Sequence, residues 1–186
     1  MNIASLYLAG FIDESTEKYW WVINELEKNT SLLESKHKQL YEAGLDFLVA
    51  FRSFLEKDFE SFIEYTQKYL NRDPHGVFFT DFGIERDGYQ PLWDIYLTCE
   101  SENLYDVNET LQMLLDMWRQ TKNKLFFAHL SLDYCALLYE QNRMEEAQQQ
   151  AQKVLDMGKD CDNLNLVVKA SLMLAQIANC RNEYYK

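Results

Sequence analysis

The sequence predicts an all-α protein made of helical hairpins that repeat roughly every 40 residues and stack into a right-handed solenoid. One short pattern recurs: the run that begins at Lys57 matches the run that begins at Asn142, and another copy begins at Glu102. Only 2 prolines and 6 glycines interrupt the 186 residues, which favours long helices. Self-similarity at such a spacing is typical of stacked helical repeats.

The repeated unit is a polar turn followed by an amphipathic helix. Residues 57–62 and 67–70 align with residues 142–147 and 152–155 at an offset of 85, without a gap. A fourth copy opens at Asn182, so the four copies begin 45, 40 and 40 residues apart. Since this copy stops before its second helix is complete, we expect the sequence to be a piece of a longer protein.

Hydrophobic spacing and turn residues define the elements in chain order. Helices are predicted at residues 3–11, 16–28, 33–56, 59–71, 91–100, 105–120, 124–140, 144–157 and 163–180. They form a single domain, residues 1–186, with N-terminal helices (1–32), an irregular first repeat (33–72), a packed loop (73–90), a second repeat (91–122), a third repeat (123–160) and a truncated fourth repeat (161–186).

The first repeat and the loop after it are the irregular part. In the helix at 33–56, Phe47, Phe51 and Phe54 recur at helical spacing, and the turn signal at 73–76 ends its partner helix. The loop at 73–90 holds aromatic residues among glycines and a proline, so we expect it to pack against the first repeat.

From residue 91 onward the predicted helices are regularly spaced and are joined by short polar turns. Small residues stand at Ala50, Cys135 and Ala175, in the first helix of a pair, and the second repeat has Ile95 at this position. A small residue there allows two antiparallel helices to approach closely, as helical repeats require.

The charge of the chain argues against nucleic acid as a direct partner. The net charge is -12, the pI is about 4.7, and the 18 Lys and Arg residues never cluster into a basic patch. A field of this sign repels a phosphate backbone.

The cysteines and the N-terminus indicate a reduced, cytoplasmic setting without a membrane segment. Cys99, Cys135, Cys161 and Cys180 form no CxxC pair and fall in apolar helical patterns, which predicts buried thiols rather than a disulfide framework. The apolar run from residue 3 to 12 is too short to span a bilayer and lacks the basic flank of a signal sequence.

Signatures of catalysis and of cofactor binding are absent from the sequence. No phosphate-binding loop, dinucleotide fingerprint, HExxH or GxSxG motif occurs, and the triplet at 81–83 has no other kinase motif beside it. His37, His75 and His129 are scattered without a nearby cysteine, so we expect no metal and no cofactor. Among 30 acidic residues no pair stands out as a catalytic one, and we expect the protein not to be an enzyme.

The best copy of the repeat has Cys135 in its first helix, Asn142 in its turn, and Ala147 and Ala151 in its second helix. This pattern resembles the tetratricopeptide repeat, over residues 40–186 and with a period of roughly 40 rather than 34 residues. The first copy departs from the family pattern, because it has Phe62 where the family has a small alanine.

Longer repeats of this kind resemble those in the sensor region of MalT-like proteins, the large ATP-binding transcriptional activators of the LuxR type. Residues 126–130 and 138–147 carry the similarity. The resemblance implies a sensor segment of a bacterial transcriptional regulator, with a nucleotide-binding domain before the repeats and a helix-turn-helix DNA-binding domain after them.

The resemblance also implies a concave groove, because the first helices of a right-handed helical-repeat solenoid line its inner face. Helical spacing assigns to this groove Phe47, Phe51, Phe54, Tyr89, Leu92, Tyr96, His129, Leu132, Tyr139, Lys169, Leu172, Gln176 and Asn179. Aromatic residues with a few polar groups suit a small effector or an extended peptide. Alternatively, the three phenylalanines pack beneath the N-terminal helices.

Two functions follow from this groove. In the first, a non-catalytic domain senses a small effector or binds a protein partner, and binding shifts self-association or the release of attached domains. In the second, the chain is a peptide-binding regulator or scaffold of the tetratricopeptide type and has no small-molecule effector.

Overall fold

Six α-helices make up most of the described chain. The computed structural model describes residues 35–56, 58–76 and 104–181, together with positions 18, 21, 24, 25 and 28. The helices are α1 (Ser35–Leu55), α2 (Phe59–Arg72), α3 (Leu104–Arg119), α4 (Lys124–Glu140), α5 (Met144–Asp160) and α6 (Leu164–Cys180). No strand occurs among these residues, which confirms the predicted all-α class. Each of the six agrees with its predicted range to within three residues at both ends.

Some predicted elements lie outside the described residues. These are the helices at 3–11 and 91–100 and most of the packed loop at 73–90. The described positions within the predicted helix at 16–28 are helical. The chain divides into two compact units, Met1–Asp73 and Pro74–Lys186. None of the described helices is long and apolar enough to cross a membrane.

In the first unit, α1 and α2 pack against each other through aromatic side chains. The ring centroids of Phe47 and Tyr69 lie 6.0 Å apart, and those of Phe54 and Phe62 lie 5.2 Å apart. Phe62 is only 6% exposed, so this pair of helices accommodates a large ring where the repeat pattern has a small residue. Asp58 caps α2, because its carboxylate accepts a hydrogen bond from a backbone N–H in the first turn.

In the second unit, each helix from α3 to α6 packs against the next, and α4 also contacts α6. Two buried clusters join α4, α5 and α6. The first consists of Ala128, Leu132, Val154, Leu166 and Ala170. The second consists of Cys135, Leu138, Ala147, Ala151 and Ile177. Because α4 contributes to both clusters, only its two end residues, Lys124 and Glu140, are exposed.

The turns after α4 and α5 have the same backbone geometry. Asn142 and Asp162 adopt left-handed conformations, with φ angles of 58° and 51°. After Asn142, the N–H of Arg143 donates to the Leu138 carbonyl at 2.9 Å. The corresponding bond after Asp162 is also present, at 2.8 Å. Both are Schellman turns, which satisfy the last carbonyls of a helix and reverse the chain within a few residues.

Helices α4 and α6 each begin with an asparagine whose side chain caps the helix. The carboxamide oxygens of Asn123 and Asn163 each accept a backbone N–H from three residues later, at 2.9 Å. At α5 the equivalent residue is Arg143, which instead forms a two-point ion pair with Glu146. Asn123 and Asn163 are 40 residues apart, so the repeat recurs in local geometry as well as in sequence.

Candidate functional site

The candidate groove lies along α4 and α6, which run side by side in the same direction. Near their N-terminal ends, the charge of Lys169 on α6 acts on His129 of α4. Near their C-terminal ends, Tyr139 of α4 lies against Cys180 of α6. The partners are 40 and 41 positions apart in the sequence, so the two helices run parallel with facing positions 40 or 41 residues apart. The antiparallel helix α5 connects them and packs against both.

His129 is a buried, neutral imidazole at one end of this groove. It is 8% exposed, and its Nε2 atom finds no hydrogen-bond partner among the described residues. Burial, and secondarily the charge of Lys169, lowers the pKa of His129 to about 4. At neutral pH the ring is therefore uncharged, and it offers one donor and one acceptor nitrogen.

Tyr139 and Cys180 form the other end of the groove. The Tyr139 hydroxyl and the Cys180 Sγ lie 3.0 Å apart, and either group can donate the hydrogen bond. The hydrogen bond to Cys180, together with smaller effects of burial and charge, raises the pKa of Tyr139. Gln176 is exposed and stands four residues before Cys180, so it lies on the same side of α6, one turn earlier.

The other predicted groove residues differ in accessibility. Leu132 is 2% exposed and belongs to the core cluster with Ala128 and Ala170, so it holds α4 against its neighbours. Asn179 and Leu172 are exposed on α6. Tyr96, with Tyr89 and Leu92, lies outside the described residues.

The three predicted phenylalanines belong to the first unit and form an aromatic cluster there. Phe47 is 4% exposed, whereas Phe51 and Phe54 are half-buried. Phe47 stacks on Phe51 with centroids 6.1 Å apart, and Phe54 meets Phe59 at 6.3 Å. These ring contacts join the phenylalanines to each other and to α2. The alternative, packing beneath the N-terminal helices, depends on residues that lie mostly outside the described ones.

Sequence reasoning missed two features of the groove region. The first is Cys180, the hydrogen-bond partner of Tyr139. It stands 41 residues after Tyr139, one position beyond the repeat offset of 40, and this spacing could have indicated the contact. Ser131 and Asp133, which flank Leu132 on the otherwise apolar α4, are buried polar residues. The Ser131 hydroxyl has no hydrogen-bond partner within the described part of the chain.

The cysteines differ from the prediction of uniformly buried thiols. Cys135 is buried, and burial raises its pKa to about 12. Its thiol donates a hydrogen bond to the Ala147 carbonyl at 3.1 Å. Cys161 and Cys180 are free and exposed, because they stand in the turn after α5 and at the last residue of α6. The prediction of a buried thiol is therefore confirmed for Cys135 and wrong for Cys161 and Cys180, while Cys99 lies outside the described residues.

Within the part of the chain that the structure describes, no three His, Cys, Asp or Glu residues converge to hold a metal ion. Lys169, with Tyr139 and Gln176 further along, can instead hold a ligand by charge and hydrogen bonds, whereas the Nε2 of His129 is enclosed beneath them. Comparisons of this chain with protein-family models, with curated proteins and with solved structures found no match.

Proposed function

We propose that this chain is a non-catalytic helical-repeat domain of a bacterial transcriptional regulator and that it binds a small effector in the groove between α4 and α6. The observation that carries the proposal is the parallel register of these two helices. Tyr139 lies against Cys180, and the charge of Lys169 acts on His129, although 41 and 40 residues separate the partners. Two first helices in register form the inner surface of a repeat array, where such proteins bind ligands.

The groove chemistry favours an effector with an anionic group and several hydroxyl or amide groups. Lys169 supplies a positive charge beside the neutral ring of His129, whose Nε2 lacks a described partner. An anion beside Lys169 would gain the charge of its ammonium group. The Nε2 of His129 is enclosed and contributes no direct contact in this conformation. Toward the C-terminal ends, the Tyr139 hydroxyl and the exposed Gln176 amide provide further hydrogen-bonding groups.

Thermal-shift screening of metabolites and sugar phosphates tests the proposal, because a ligand that binds the folded state raises the melting temperature. We expect a hit whose shift disappears in the double variant Tyr139→Ala/Lys169→Ala. The matched control is Lys153→Ala on the exposed face of α5, which removes the same charge and should keep the shift. Unchanged binding to the double variant contradicts the groove assignment.

The second function, a peptide-binding scaffold, gives a different result in the same screen. Hits restricted to peptides, with none among small molecules, would favour it. The regulator assignment is tested separately by the reading frame around these residues. We expect a phosphate-binding loop upstream and a helix-turn-helix downstream, and their absence would overturn this part of the proposal.

A further inference from the structure

One face of α6 is apolar and exposed. Leu164, Val168 and Leu172 recur at every fourth position and are 75%, 47% and 60% exposed. Ala175, about one turn further, is exposed as well. Residues at this spacing lie on one side of a helix, and we call the four residues the α6 stripe. Large apolar side chains grouped in this way mark a surface that another molecule or segment covers.

The exposed side chains of α6 are also uncharged, which sets this helix apart from its neighbour. Those of α6 are Leu164, Asn165, Val168, Ser171, Leu172, Ala175, Gln176, Asn179 and Cys180. The exposed side chains of α5 include the charged residues Glu145, Glu146, Lys153, Asp156, Lys159 and Asp160. Lys169 is the charged residue of α6 and is half-buried. In a chain with a net charge of -12, a helix whose fully exposed side chains are all uncharged has the composition of a covered helix.

Helix α4 shows what covers such a stripe. Ala128, Leu132 and Cys135 stand 40 residues before Val168, Leu172 and Ala175, and they are 0%, 2% and 0% exposed. The residues that cover them come from α5 and α6. They are Ala147, Ala151, Val154, Leu166, Ala170 and Ile177. Small side chains on α5 let α4 approach so closely that the Cys135 thiol reaches the Ala147 carbonyl.

We propose that the α6 stripe is the docking surface for a helical hairpin with the same inward pattern as α5 and α6. Its first helix would present small and branched aliphatic residues, as Ala147, Ala151 and Val154 do, and its outer face would be charged. This interface continues the core that joins α4, α5 and α6 by one further repeat. It needs no ligand, so it goes beyond the proposed groove function, and Leu172 is the residue that both surfaces share.

An extended chain tests the proposal. The full chain is followed directly by a copy of residues 147–181. Because positions 182–186 correspond to 142–146, the copied helices then stand 40 residues after α5 and α6. We expect Leu172→Asp to lower the melting temperature of this extended chain by about 10 °C, since it places a carboxylate in a buried interface. In the natural chain we expect a shift below about 2 °C, because the site is exposed.

Met113→Asp is the matched control, since Met113 is 52% exposed on α3 and lies outside the stripe. It should produce the same small shift in both chains. The proposal is overturned if Leu172→Asp shifts both chains equally. An extension that adds no helical circular-dichroism signal overturns it as well. Residues 147–181 fold against α4 in the original chain, so their copy should fold against α6 if the stripe accepts such a hairpin.

Sedimentation velocity on the natural chain distinguishes a second copy from the proposed hairpin. We expect a monomer over the accessible concentration range. A dimer that Leu172→Asp dissociates and Met113→Asp leaves intact would identify a second copy as the occupant of the stripe, and would overturn the proposal.

Discussion

The Tyr139 hydroxyl lies 3.0 Å from the Cys180 Sγ, although 41 residues separate the two positions. Together with the electrostatic interaction of His129 and Lys169, this contact fixes α4 and α6 as parallel neighbours shifted by one repeat. Residues separated by 40 or 41 positions in the sequence therefore lie at the same level on the two helices. Residues of α4 have their counterparts on α6, two helices later in the chain.

The buried histidine makes stability depend on pH. The unfolded chain takes up a proton near pH 6.5, whereas native His129 has its pKa lowered to about 4. Between these values the unfolded state binds more protons, so stability falls as pH falls from 6.5 to about 4 and this contribution changes no further below. The loss is at most about 3 kcal/mol.

Urea unfolding at a series of pH values measures this dependence, with His129→Gln as the comparison because glutamine does not titrate. The variant should show a shallower loss of stability across the same window. Parallel curves for the two proteins would show that other groups carry the pH dependence.

The Schellman turn at Asn142 should respond differently to alanine and to glycine. Asn142 has a φ of 58°, where a Cβ without a compensating polar side chain is unfavourable. We expect Asn142→Ala to lower the free energy of unfolding by about 1 kcal/mol and Asn142→Gly to leave it unchanged or slightly higher. Chemical denaturation of both variants decides this, and a more stable alanine variant would contradict the turn geometry. Asp162, with the same conformation, should repeat the pattern.

The three described cysteines should differ strongly in reactivity. Burial raises the pKa of Cys135 to about 12, so its thiol stays protonated and shielded. Cys161 and Cys180 are exposed. In the folded protein at pH 8, we expect iodoacetamide to modify Cys135 at least about 100-fold more slowly than Cys161. Peptide mass spectrometry measures the rates, and the same experiment in urea provides the control in which the difference vanishes.

A side chain at Gly76 should destabilise the fold. Its φ is 62°, and an added Cβ would lie 2.5 Å from the ring of Trp118, which is 1% exposed. We expect Gly76→Ala to cost about 2 kcal/mol of stability. Part of this cost comes from the ring, so it should shrink in a Trp118→Leu background. A double-mutant cycle measures the coupling, and strictly additive effects would show that the backbone conformation alone is responsible.

Local signals in the sequence determined the helices and their turns. Apolar residues at helical spacing and asparagine or aspartate at the ends predicted the six described helices to within three residues. These features depend on neighbours along the chain, such as the Asn123 and Asn163 caps and the turns at Asn142 and Asp162. Helical spacing also assigned His129 and Lys169 to one predicted groove, but it did not pair them.

The tertiary structure decided which of these positions are accessible. Leu132 of α4 and Leu172 of α6 are 40 residues apart and have the same side chain, yet they are 2% and 60% exposed. The difference arises because α5 and α6 cover α4, whereas no described helix covers the equivalent side of α6. Periodicity specifies the face of a helix on which a residue lies. Whether that face is buried depends on a neighbouring helix, and only the packing of the folded chain puts such a helix in place.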